Sequence, residues 1–352
     1  MKREGNFEIL RTVAMFFIVI YHCLTHGIGD GQGFGISSPI SLSNILFSDL
    51  LLVFSSIAVN LYVMISGYFL VDIKFKLSRI LRTWSVTCFY STVITLLFMM
   101  LGVISFNIVS IGKSIFPISS DAYWFVTQYV GLLIISPFLA VMVHNLSYKQ
   151  YLLLLGAGAL IFLSVVPDFP LGKRFYVAHG NSVWSFTYLF LIAGFIKHHL
   201  IRIPTPRISM LVLALLLLIL LCEIIGGYDN GFIHLYWLNY NGLVLILSVA
   251  VFILVRQLKV HNNWFCKVLV KVAPYTFGVY LIHDHLLVRA WLWGAASLRS
   301  CCDNVFFPII IIGLCAIIFL ACAILDATRK KLFSLLRIDD LILKTDKWLS
   351  NH

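Results

Sequence analysis

The sequence predicts an all-α, polytopic membrane protein of about ten transmembrane helices with both termini in the cytoplasm. Three observations lead there. Of 352 residues, 61% are hydrophobic and only 12% charged, about half of the roughly 25% charge of an ordinary soluble domain. Apolar runs of the length needed to cross a bilayer, about 20 residues, recur along the chain. The lysines and arginines gather in alternate connectors between those runs. The first observation excludes a soluble globular enzyme, and 28 Phe, 15 Tyr and 8 Trp exclude a disordered or collagen-like chain.

The first run, 8–27, follows Lys2 and Arg3 and so invites comparison with a cleaved signal peptide. It contains Arg11 and His22, and no A-x-A-type cleavage site follows, so it reads as a retained helix. The next runs are 49–70, 84–104 and 122–143, then 151–167 and 183–200. The last four are 208–226, 238–255, 272–290 and 304–325. Polar connectors such as Gly27–Pro39 and Gly226–Asn230 separate them. With no internal repeat and no soluble domain, 1–325 reads as one membrane domain. The tail, 326–352, sets Leu332, Phe333, Leu336, Leu343 and Trp348 among basic residues. It fits either an amphipathic helix on the inner leaflet or a solvated charged tail.

A formal charge of +11 raises nucleic acid as a partner. The placement of the charge answers otherwise. With the N-terminus inside, all of the 26 lysines and arginines except Lys113, Lys173, Arg174, Arg289 and Arg299 fall on cytoplasmic segments. That is the positive-inside pattern of a membrane protein, not a nucleic-acid footprint. The eight cysteines form no CxxC pair and interleave with no His at metal spacing, so neither a metal cofactor nor a disulfide framework is expected, and adjacent Cys301 and Cys302 stay without a role.

An ionisable side chain inside a spanning helix costs about 2.5–3.5 kcal/mol on insertion scales and asks for a reason. Arg11 and His22 lie eleven residues apart, which returns to within about 20° of one helical face and rises about 16 Å. Singly, Arg11 suits a snorkelling residue and His22 a hydrogen-bonded bundle residue. On one face, with Glu8 at the cytoplasmic mouth, they point to a functional pair. A neutral imidazole can take a proton from an alcohol at ordinary pH.

A second group is the loop from Asp72 to Arg82, with Lys74, Lys76, Arg79 and Arg82. Its arginines, at i and i+3, suit phosphate oxygens of a polyanionic cytosolic cofactor, while for the loop taken alone ordinary positive-inside charge beside anionic lipid is the simpler account. No GxxxxGK[ST] loop is present, against a nucleotide-driven pump. The third group, Tyr280-Leu-Ile-His-Asp-His-Leu286, puts His283 at a depth comparable with His22. Asp284 and His285 beside it suit an interfacial cap. Trp124 and Glu223, near the outer ends of their helices, are weaker candidates to line the same outer cavity, since both also suit interfacial positions.

These residues make the chain resemble the acyltransferase-3 family of integral membrane acyltransferases, particularly its surface-polysaccharide O-acetyltransferases. Arg11 and His22 match the family's Arg-x10-His motif, and Arg79-x-x-Arg82 its cytoplasmic Arg-x-x-Arg motif. Val63–Phe69, Trp124 through Ser136-Pro137-Phe138, and Thr276–His283 are also similar to it. Glu8 departs from the family, whose acidic residue often stands just before the arginine. The resemblance implies acetyl-CoA, or another acyl-CoA, as cytosolic donor and a hydroxyl-bearing glycan or lipid-linked sugar as acceptor. It implies Arg11 and His22 as the essential pair and Arg79 and Arg82 as CoA-phosphate contacts, with Lys74 and Lys76 nearby. Whether His22 deprotonates the sugar hydroxyl or carries the acyl group itself stays open at this level. So does the oligomeric state. The competing class is a transporter or flippase of a lipid-linked sugar or small solute. Against it, no pair of Gly/Pro-broken helices occupies corresponding halves.

Overall fold

The computed structural model of the chain describes residues 4–28, 41–162, 180–200, 202–227, 242–260, 263–296 and 298–350. Among these every regular element is helical. Seven helical stretches are long and apolar enough to cross a membrane: Gly5–Ile28, Leu42–Leu70, Leu77–Met100, Trp124–Asn145, Thr205–Cys222, Trp264–His283 and Phe307–Leu335. Val183–His198 and Gly242–Gln257 are shorter apolar helices. The chain is thus a multi-pass membrane protein. Exposed side chains such as Leu97, Leu217, Ile309, Ile317 and Ile324 give the bundle an apolar outer surface. Most of Gly27–Pro39 and of Gly226–Asn230, Lys173, Arg174, and the part of the fifth run beyond Phe162 lie outside the described residues.

Helix α1 (Gly5–His22) is the centre of the bundle. It packs against α2 (Leu42–Ser56), α3 (Ala58–Leu70) and elements from the C-terminal half. Its Phe7, fully buried, meets Tyr68, Phe69 and Phe252 at 4.9, 5.3 and 5.4 Å between ring centroids. The second apolar run divides at Ile57. Ser55 and Ser56 donate their hydroxyls back to the carbonyls of Leu51 and Val53, a back-bonding habit that bends helices.

Helix α4 (Leu77–Met100) leads to a short α5 (Ile108–Ile115), then to α6 (Trp124–Asn145) and α7 (Tyr148–Phe162). Pro137 stands inside α6 and leaves the Leu133 carbonyl without its usual donor. The Ser136 hydroxyl donates to it instead, at 3.0 Å. Helix α8 (Val183–His198) lies against α3, where Gly67 is needed: a Cβ there would sit 2.9 Å from the Phe190 Cα. Helices α9 (Thr205–Gly227) and α10 (Gly242–Gln257) follow.

The ninth apolar run, expected as one helix, is three pieces. Helix α11 (Trp264–Val272) and a 3-10 turn lead into α12 (Thr276–His283), and after a break at Asp284 comes α13 (Leu286–Ala296). The break is built in: the His285 ring accepts the Leu287 amide at 3.2 Å, as a cap would. Helix α14 (Phe307–Leu335) runs past Leu325, at about 43 Å for its 29 residues. Its inner part is fastened by Asp326, which accepts from Tyr90 at 2.9 Å and from Arg329 at 3.0 and 2.7 Å. Gly278 makes room for that carboxylate, with which any Cβ would collide.

The tail forms α15 (Ile338–Ser350). It lies against α4 and is held there: Arg82 donates to Asp339 at 2.9 Å, and the Ser78 amide and hydroxyl donate to Asp346, the amide at 2.9 Å. Burial alone would raise the Asp346 pKa. The Ser78 bonds, with Lys76 and Arg79, outweigh it and hold the carboxyl below its ordinary range.

Candidate active site

Helix α1 ends at His22, and the chain continues as a π turn, Cys23–Ile28, a form that collects at functional sites. Helix α12 ends at His283. Because α1 and α12 pack together, the two imidazoles meet, with His22 Nδ1 2.9 Å from His283 Nε2. Both rings are buried.

The protons follow from the bonding. His283 Nδ1 lies 2.6 Å from the Val279 carbonyl, which can only accept, so Nδ1 carries the hydrogen of a neutral His283 and Nε2 a lone pair. His22 then donates from Nδ1 and keeps its own lone pair on Nε2. Asp284 Oδ1 is 3.5 Å from the same His22 nitrogen and 3.4 Å from an Arg289 nitrogen. A proton arriving at His22 Nε2 would leave an imidazolium held between a second imidazole and a carboxylate. That is the arrangement of a general base with an orienting partner.

Two cavities lie beside it. The inner one, about 30 Å³, is lined by His22, Trp124, Tyr62, Phe125 and Phe277 among others. The larger, about 620 Å³, is of ligand-pocket size, about 300–1,000 Å³. Tyr62, Phe125 and Phe277 belong to both walls, so an aromatic partition stands between the two cavities. Tyr62 is pinned in it by Thr276, 2.8 Å away. The larger wall carries Arg11, Arg79, Arg82, Arg329 and Lys330, against the carboxylates of Asp326 and Asp339.

The expected site residues therefore divide. Arg11, Arg79 and Arg82 come together on the larger wall, and His22 and Trp124 on the inner one. His283 touches His22 rather than lining either cavity. Arg11 is braced at 2.9 Å by Glu8, one turn earlier, whose second oxygen is buried without a partner. Lys74 and Lys76 are exposed in the loop and stand off the cavity wall; Lys74 contributes its backbone carbonyl to Arg79 at 3.0 Å. Glu223 belongs to α9, and its side chain lies outside the described residues. Asp284 and His285 are buried at the break between α12 and α13, where the His285 ring caps the start of α13 and Asp284 reaches toward His22.

Sequence reasoning missed Arg329 and Lys330, which were absorbed into the basic tail, and Tyr62, an unremarkable aromatic in an apolar run. The signal that could have found the first two is the buried acid Asp326 three residues before Arg329, a pair on one helical face.

Compared with known proteins, residues 4–326 match the family model Acyl_transf_3, described as an acyltransferase domain. Searches of the curated proteins and of the solved structures found no match.

Proposed function

Because the chain belongs to the acyltransferase-3 family and so is a membrane acyltransferase, we propose that it moves an acetyl group from cytosolic acetyl-CoA to a hydroxyl of a surface glycan or lipid-linked sugar. It would do so in the cell's inner (plasma) membrane, with both termini cytoplasmic and ten spans. One observation carries the reading: a cationic cavity large enough for a phosphorylated ligand is divided by one aromatic partition from a buried histidine pair with a lone pair to offer.

In this reading Arg79, Arg82, Arg329 and Lys330 hold the donor's phosphates, and the thioester arm passes Arg11 toward Tyr62 and His22. Arginine forks match phosphate oxygens two at a time, which suits them to the task. His22 Nε2 takes the proton of the acceptor hydroxyl as its oxygen attacks the thioester carbonyl carbon. The C–S bond breaks, the proton passes from His22 to the departing thiolate, and the products are an O-acyl sugar and the free thiol. Alternatively, Nε2 attacks first and the acyl-imidazole hands the group on. His283 and Asp284 hold the His22 ring and share the positive charge in both routes.

The test is transfer of labelled acetyl from acetyl-CoA by purified protein in detergent, with and without candidate acceptor, for wild type and His22→Ala. Transfer in wild type and its loss in the variant support the reading, and equal rates overturn the role of His22. A transporter would transfer nothing in either case.

A further inference from the structure

At the end of the bundle that carries the Lys74–Arg82 loop, a second cluster stands apart from the cavities. It joins three elements distant in sequence: Asp72 follows α3, His144 is in the last turn of α6, and His198 closes α8. Both rings present Nε2 to one carboxylate oxygen. Asp72 Oδ1 is 2.9 Å from His198 Nε2 and 3.5 Å from His144 Nε2, and the three donor atoms lie within 4.8 Å of one another.

We infer that Asp72, His144 and His198 form a binding site for a divalent transition metal of the zinc class. Donors bound at about 2.0–2.1 Å in a tetrahedral shell stand about 3.3 Å apart, and the two separations from Asp72 bracket that spacing. Two imidazoles and a carboxylate are the donor set that borderline divalent ions accept and that calcium and magnesium, which take oxygen shells, do not favour.

The surroundings suit the assignment. Lys197 holds the other Asp72 oxygen at 2.6 Å while itself donating to the Tyr68 carbonyl at 2.8 Å. This outer bond fixes the carboxylate so that Oδ1 faces the rings. The Val71 carbonyl, 3.1 Å from His144 Nε2, accepts that nitrogen's proton in the metal-free protein, and a bound ion would displace the proton to Nδ1. All three donor residues are partly exposed, so an ion reaches them from water. A bound ion would staple the start of the loop to α6 and α8, and that loop leads directly into α4 with Arg79 and Arg82.

Titration of tag-free, chelator-stripped protein with Zn²⁺ against a chromophoric chelator tests this, with Co²⁺ as a spectroscopic probe. One Zn²⁺ per chain is expected, with a tetrahedral Co²⁺ absorption spectrum and a zinc-dependent rise in melting temperature. His144→Gln with His198→Gln should weaken binding at least 100-fold and abolish the rise, while His199→Ala, one residue along, should change neither. Absence of one-to-one binding in wild type overturns the site. So does binding that survives the double variant, since the ion would then sit elsewhere, as on His22, His26 and Asp284.

Discussion

His22 and His283 stand 261 residues apart in the chain, yet His22 Nδ1 is 2.9 Å from His283 Nε2. The bond fixes which nitrogen of His22 is a base, and it makes His283 a positioning residue with a measurable signature. His283→Leu should lower turnover by about 10²-fold, the lower end of what a positioned acid–base group contributes, with little change in the KM for acyl-CoA. His283→Gln, whose side-chain oxygen can accept from Nδ1, should recover part of that loss. A turnover equal in the two variants would mean that His283 only fills space.

Arg82 is paired with Asp339 of the tail helix at 2.9 Å, on the wall of the larger cavity. If donor phosphates use this arginine, the tail carboxylate competes with them. Asp339→Asn should therefore tighten acyl-CoA binding several-fold, and Arg79→Ala with Arg82→Ala should weaken it and flatten its salt dependence. Calorimetry across a salt series reads both. Looser binding in Asp339→Asn would assign the tail a supporting role instead.

The close approach of Gly278 to the Asp326 carboxylate gives a stability prediction. Gly278→Ala forces that carboxylate off its bonds with Tyr90 and Arg329 or pushes α12 from α14. Overpacking of this kind costs about 1–3 kcal/mol, to be read as a lower melting temperature in detergent. Gly112→Ala, where an added Cβ meets nothing beyond its own helix, is the control and should leave the transition in place or raise it slightly, since alanine favours a helix interior over glycine.

Docking of the tail should depend on pH in one direction. The Asp346 pKa is depressed in the folded protein, burial being outweighed by the Ser78 bonds and by Lys76 and Arg79. Its contribution is then fully present above the ordinary carboxylate range and disappears as pH falls through the depressed value. A fluorophore on α15 quenched from α4 should stay quenched from neutral pH down to that range and brighten below it. Asp346→Asn should show weaker quenching at neutral pH and lose the step.

The membrane class was legible because it depends on composition and run length, which lipid reads directly: a bilayer-length apolar run is costly anywhere but in a span. Arg11, His22, Arg79 and Arg82 stood out for the same reason, as polar residues in or beside apolar helices. The division at Ile57, the break at Asp284 and the continuation of α14 to Leu335 did not stand out. Each rests on local bonds, from the serine hydroxyls, the His285 ring and the Asp326 pair, that hydropathy does not register.

What the sequence determined by itself is thus the solvent of the protein, the approximate course of its helices, the family motifs and the residues whose burial needs a reason. Only the tertiary structure decided that His22 bonds His283, that Arg329 and Lys330 share a wall with Arg11, and that Asp72 meets two histidines from other helices. Such pairings depend on which helix faces which, and packing of whole helices fixes that through contacts between residues too far apart in the chain for any local pattern to link them.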